Sequence, residues 1–216
     1  MDKFQVAIVI PAFNEEDTIS NVVQSVKKYG VVIVVNDAST DNTGKLAKEA
    51  GAVVVSHNEN KGYDGALNSG FEKADELNLD AVITFDADGQ HSSNALPVYI
   101  GLLEEGIALV LGVRPKTQRF SESIFKIYTN NKYNWQDPLC GYKGYSMKLY
   151  RDRTCFDIHK SIGTELALYG IRSGYSYRQV DLDISQRPDK PRFSSVFGSN
   201  IKILRALFLI IVGKRD

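Results

Sequence analysis

Five short apolar runs set the frame for this chain. Residues 4–10, 31–35, 52–55, 81–85 and 107–113 are β-branched and nearly unbroken, the pattern of strands covered on both faces. Between them lie segments with apolar residues at helical spacing: 15–29 (Ile19, Val22, Val23, Val26), 40–50, 65–77 and 93–104. Strand–helix alternation of this kind implies right-handed crossovers and a mostly parallel sheet. The expected class is therefore α/β, a Rossmann-like sheet flanked by helices. Ligands of such sheets sit beyond the carboxyl ends of the strands.

The polar clusters fall where that rule asks for them. PAFNEE (11–16) follows the first run, NDASTDNT (36–43) the second, HNENKGYDG (57–65) the third and DADGQH (86–91) the fourth. Four clusters at one sheet edge point to a site. In DADGQH, an extended backbone would put Asp86, Asp88 and Gln90 on one side. Oxygen ligands with open positions suit Mg²⁺ or Mn²⁺ bound together with substrate phosphates; a solvated Asx turn is the plain alternative. In PAFNEE, Pro11 is expected to stop the strand ladder. Asn14 is placed to cap the next helix, with Glu15 and Glu16 in its first turn. The functional alternative has the Glu15 carboxylate holding a ribose or base. Asp37, at a strand tip, can accept from a base N–H or a ribose hydroxyl. The run from Lys61 to Gly70 resembles a glycine-rich phosphate loop but lacks the P-loop pattern.

The second half is less regular. Residues 121–132 and 163–172 read as helices, 140–147 as an added antiparallel strand, and 175–184 as an edge strand. Residues 187–197 read as a loop and 199–212 as a final amphipathic helix. The expected division is a domain over 1–198 with that helix, 199–216, packed on it or lying at a membrane interface. Trp135, Tyr128, Tyr133 and Tyr142 fit either a core or an acceptor groove. His57 and His159 read as surface or capping residues, His91 as a structural or phosphate-reaching one, and Cys140 and Cys155 as small buried apolar residues.

Taken in order, PAFNEE, VNDASTDNT, NKGYDGALNSGF, FDADGQH and DPLCGYKGY resemble the inverting family 2 glycosyltransferases of GT-A fold. The nearest branch is that of the dolichyl- or polyprenyl-phosphate mannose and glucose synthases, and the resemblance spans about residues 4–205. It implies a nucleotide-sugar donor (UDP or GDP) held by Pro11, Ala12, Asn14, Glu15, Asp37, Lys61, Gly62, Asp86 and Ala87. Asp37 would meet the base and Glu15 the ribose region. Asp86, Asp88 and Gln90 would hold the metal. Arg114, Arg119, Ser123, Arg187 and Arg192 would cradle an acceptor phosphate. A lipid phosphate is already an anion and needs no base; a sugar hydroxyl, the alternative acceptor, would need Glu165 or Asp137 as general base. Asn36 stands where many members carry a second Asp, and the stretch 114–137 is short for the branch.

Composition narrows the partners. Lys plus Arg is 26 and Asp plus Glu is 26, which argues against a dedicated nucleic-acid binder. Neutrality hides an asymmetry: from Arg187 onward there are seven Lys/Arg against two Asp, a tail suited to phosphates and an anionic membrane surface. Two cysteines suggest a reducing compartment. The N-terminus reads as a strand rather than a signal peptide, and no run approaches the roughly 20 apolar residues of a bilayer span. The expected location is cytoplasmic, peripheral on the inner membrane face.

Overall fold

A computed structural model describes residues 4–89, 92–115, 120–183 and 196–212. The strands are β1 (Val6–Ala12), β2 (Val31–Asn36), β3 (Val53–Ser56), β4 (Ala81–Thr84), β5 (Leu109–Val113), β6 (Lys143–Ser146) and β7 (Tyr177–Asp181). The helices are α1 (Ile19–Val26), α2 (Thr43–Glu49), α3 (Gly62–Glu76), α4 (Leu96–Glu104), α5 (Phe120–Tyr133), α6 (Met147–Arg153), α7 (Glu165–Arg172) and α8 (Val196–Val212). The strands form one sheet in the order β3-β2-β1-β4-β6-β5-β7. β1 to β4 are parallel; β6 runs antiparallel to both β4 and β5; β7 is parallel to β5 at the edge.

The expected α/β sheet is there, and the antiparallel strand sits inside it rather than being added at a margin. The lone short run around Gly144 fits between β4 and β5 because Gly144 leaves room for Tyr99 and Leu103 of α4, which lie 3.1–3.2 Å from where its Cβ would be. α6 has no counterpart in the sequence reading. Its seven residues are too few to display a helical period, though Ser146 caps it by accepting from Leu149 N–H.

β1 runs through Pro11 to Ala12 instead of stopping at the proline. Val9 O accepts from Phe85 N–H, where β4 has already ended. Pro11, two residues on, faces the same side, so the N–H it lacks has no ladder partner there. α1 begins only at Ile19, because Asn14, Glu15 and Glu16 are spent on loop contacts described below. Gly65 and Gly70 lie within α3 rather than in a phosphate loop. A Cβ on Gly70 would fall 2.2 Å from Val9 Cγ1, so this glycine lets α3 lie flat on β1 and β2.

Two apolar layers cover the sheet. One centres on Ile8, Ile10, Val23, Ile83, Phe85 and Tyr99, with α1, α2 and α4. The other centres on Val9, Phe71, Trp135, Tyr145, Phe156 and Leu166. Ile203, Ala206, Leu207 and Ile210 of α8 belong to the second layer. Among the described residues, no helix is long and apolar enough to cross a membrane.

Candidate active site

The carboxyl ends of β1 and β2 open into two loops that are sewn together. Asn14, at φ 54°, donates its N–H to Ser39 Oγ and accepts from Thr40 N–H through its own Oδ1. Glu15 N–H donates to Thr43 Oγ1, and Glu16 N–H to Asp41 Oδ2. Glu16 Oε2 in turn accepts from Asn42 N–H and Nδ2. Asn14 therefore does not cap α1; its short amide tolerates the left-handed backbone and crosses to the neighbouring loop. Asp41 accepts from Thr43 N–H and Oγ1. Burial pushes the Asp41 carboxyl up, but its bonds from Thr43 and Glu16 outweigh that and hold it below its ordinary value. Glu15 stays half-buried at this junction, facing Thr18, with Pro11 half-buried and Ala12 buried beneath it.

Asp37, expected to meet a base, is buried among protein partners. It is 4% exposed, and both carboxylate oxygens are taken. Oδ1 accepts from Lys61 N–H (2.8 Å) and meets His57 Nδ1 (2.7 Å); Oδ2 accepts from Gly62 N–H (2.8 Å). The His57 side chain is buried, with its Nε2 at 2.9 Å from Ser69 Oγ, so it is an interior partner rather than a surface residue. Gly62, at φ +77°, supplies the turn that starts α3. Asp37 thus binds the third loop to the first two, and Lys61 projects from that loop as an exposed cation.

β4 delivers the fourth loop. Asp86, Ala87 and Asp88 form a turn rather than an extended segment, closed by Gly89 at φ +72°. Asp86 and Asp88 are half-buried and Ala87 is buried. Thr84 Oγ1 donates to Gly141 O (2.5 Å) and accepts from Lys143 N–H, which draws Gly141 against the Asp86 carboxylate. A Cβ on Gly141 would fall 2.6 and 2.7 Å from the two Asp86 oxygens. The missing side chain leaves those oxygens room for a ligand, and hard oxygen donors on a turn fit a divalent cation that also takes phosphate oxygens. Gln90 and His91 lie outside the described residues.

Beside this turn sits a buried Lys143, which sequence reasoning passed over. Its Nζ donates to Gly163 O (3.0 Å) and lies over the Trp135 ring. Burial brings its ammonium down to about 8, against the pull of Cys140, Asp137 and Asp86. A lysine in the otherwise apolar run CGYKGY was the available signal. Asp64 was passed over as well. From the first turn of α3 it accepts from Gly163 N–H (2.6 Å) and Ile162 N–H (3.2 Å). Burial, with the Asp157 carboxylate adding to it, lifts Asp64 from 3.8 to about 6. The loop it holds carries Lys160, Ile162 and Gly163 at positive φ, a costly backbone for a β-branched residue such as Ile162. Asn68 pins the other end, accepting from Phe156 and Asp157 N–H and donating to Asp157 O.

Directly after β5, Arg114 lies in a buried ion cluster. Its Nε and a terminal nitrogen donate to Asp137 at 2.7 and 2.9 Å, and the same nitrogen reaches Glu122 at 3.3 Å. Burial opposes its charge, but Asp137 more than compensates and its guanidinium is held above the ordinary value. Ser123 is half-buried on the first turn of α5. Arg119, Arg187 and Arg192 lie outside the described residues. Glu165 heads α7 and accepts from Arg153 (2.7 Å), from the N–H groups of Ile158 and His159, and meets His159 Nδ1. Burial raises its carboxyl, yet those two backbone N–H groups and His159 bring it below the ordinary value.

A comparison with protein families matches residues 7–161 to Glycosyl transferase family 2. The chain belongs to that family. Among relatives of this glycosyltransferase is the UDP-N-acetylglucosamine–dolichyl-phosphate N-acetylglucosaminyltransferase of Methanococcus voltae. It is 35% identical over 132 residues, which cover 52% of this chain and 53% of that one. The undecaprenyl-phosphate 4-deoxy-4-formamido-L-arabinose transferase of Proteus mirabilis is 34% identical over 131 residues, covering 54% and 39%. The glycosyltransferase thus aligns with about half the length of such relatives or less. In fold it is similar to glucosyl-3-phosphoglycerate synthase of Mycobacterium tuberculosis, solved with Mn²⁺, UDP and phosphoglyceric acid. The TM-score is 0.75 at 21% identity, over 99% of this chain and 80% of the other. The GT-A fold expected from the five motifs is therefore the fold of this glycosyltransferase.

Proposed function

We propose that this glycosyltransferase moves a sugar from a nucleoside-diphosphate sugar to a polyprenyl phosphate, inverting the anomeric carbon, with Mg²⁺ or Mn²⁺. The observation that carries the acceptor class is the engagement of the carboxylates a hydroxyl acceptor would require. Asp137 is buried and clamped by Arg114, and Glu165 is satisfied by Arg153 and two backbone N–H groups. Asp64 is spent on Ile162 and Gly163. A phosphate oxygen needs no proton removed before it attacks. The relatives named for dolichyl-phosphate and undecaprenyl-phosphate transfer support the same class.

Each part then has a task. The joined loops around Asn14, Glu15 and Lys61 receive the nucleoside, with Asp37 shaping that pocket from beneath. Asp86 and Asp88, with Gln90, hold the cation. When bound, it neutralises charge on the departing diphosphate. The acceptor phosphate oxygen attacks the anomeric carbon from the face opposite the diphosphate. The C–O bond to the diphosphate breaks and its electron pair leaves with the nucleotide. Arg119 and Ser123, with Arg187 and Arg192, take the acceptor phosphate, while Arg114 braces Asp137 and Glu122. A lipid acceptor places the enzyme at the membrane face, peripheral on the cytoplasmic side.

The test is a panel of UDP- and GDP-sugars against polyprenyl phosphate and against sugar acceptors, with each metal. Lipid-linked product dependent on divalent cation is expected, and Asp88→Ala should abolish it with the fold intact. Product only on sugar hydroxyls would refute the acceptor; full turnover by Asp88→Ala would refute the metal site.

A further inference from the structure

α8 packs with one face and leaves another apolar face outside. Ile203, Ala206, Leu207 and Ile210 are 0–6% exposed. The helix is fixed on several sides: Ser121 of α5 donates to Asn200, Arg205 donates to the carbonyls of His159 and Lys160, and Arg172 donates to Ile210 O. Yet Ile201, Leu204, Phe208, Ile211 and Val212 are 44–60% exposed. At 100° per residue they share one face, opposite the buried one. α5, packed beside α8, does the same with Phe120, Ile124 and Ile127. Scattered exposed apolar residues are ordinary; rows on two adjacent helices mark an interaction surface.

The rim selects the partner. Lys202 and Arg205 lie along one edge of the α8 face, and the helix from Val196 to Val212 holds no Asp or Glu. Gly213-Lys214-Arg215 follows in the sequence. A second copy docking by two-fold symmetry would bring these cations toward their own counterparts. An anionic bilayer meets the apolar rows with its acyl boundary and the cations with its headgroups. We infer that the α5–α8 face is a membrane-docking surface, laid flat on anionic lipid without crossing it. The inference rests on surface chemistry; the lipid-acceptor reading supplies only its use, bringing the site to its substrate.

The experiment is vesicle co-sedimentation of the whole chain, with phosphatidylcholine alone and mixed with phosphatidylglycerol. Binding should require phosphatidylglycerol and weaken with salt. Phe208→Glu and Ile127→Glu, checked for unchanged melting, should each cut partitioning by roughly tenfold or more, and Lys202→Glu should reduce it less. Equal binding to neutral vesicles, or unchanged binding by both apolar variants, overturns the inference. So does a dimer in analytical ultracentrifugation that Phe208→Glu dissolves while vesicles are ignored. Transfer to a short-chain, water-soluble polyprenyl phosphate should survive Phe208→Glu. Failure of wild type in that reaction, with vesicle binding intact, would count against the acceptor and leave the docking face standing.

Discussion

Asp64 makes stability depend on pH in a direction unusual for a carboxylate. In the fold its carboxyl titrates at about 6, against 3.8 ordinarily, because burial and the nearby Asp157 disfavour its charge. Between those two values the folded chain holds a proton that the unfolded chain has released. Stability from this group is therefore complete below 3.8 and is lost as pH rises through 6. The total is about 3 kcal/mol, of which about 2 kcal/mol falls between pH 4.5 and 7. Asp64→Asn removes the titration. It keeps one carbonyl oxygen for Gly163 N–H and gives up the bond from Ile162, a loss that does not vary with pH. Urea unfolding of both proteins across that range is the assay. The wild type should lose about 2 kcal/mol relative to the variant as pH rises. Parallel curves, or a wild type that gains relative to the variant, would refute the burial argument.

Other substitutions test other joints. Gly141→Ala puts a methyl group within 2.7 Å of both Asp86 oxygens; transfer and metal-dependent donor binding should fall at least tenfold with little change in melting, read by activity and calorimetry. Arg114→Ala leaves Asp137 and Glu122 buried without their cation, and chemical denaturation should report a loss of about 3–5 kcal/mol. Glu165→Gln should cost about 1–3 kcal/mol through Arg153 and the two N–H groups. Its pH–rate profile should keep its shape; loss of a basic limb would restore Glu165 as a general base.

The first half of the fold was legible because β1, β2 and β4 are buried on both faces, β3 is a short β-branched run at the edge, and all four end in polar clusters. The second half yielded α5, an antiparallel strand at β6, α7, β7 and α8, but not α6 or the place of β6 in the sheet. β6 is four residues long and carries a lysine, so no period marks it as the strand between β4 and β5. The candidate site divides similarly. DADGQH and PAFNEE announce themselves by composition, and both lie at the strand ends where they were expected. The partners that occupy them are contacts across 20 or more residues: Asn14 with Thr40, Asp37 with Gly62, Asp64 with Gly163. No local pattern reveals that Asp37 is spent on the backbone of another loop. A polar residue at a strand tip looks the same whether it faces a ligand or a neighbour.

The placement of β6 also divides the protein into parts of unequal independence. β3, β2, β1 and β4 are joined to one another within the first 84 residues, and of these four strands β4 alone pairs outside the set, with β6. β5 has no such local support: it is held by β6 and β7, more than 30 residues further along. An opening that frees β6 from β4, and the 156–163 loop from Asp64 and Asn68, would detach the second half as a block and leave the first-half loops whole. The Asp86 turn and Gly141 lie on that seam. A divalent cation held by Asp86 and Asp88 would lie where the two blocks meet, and a nucleotide-sugar bound with it would act as a clasp between them.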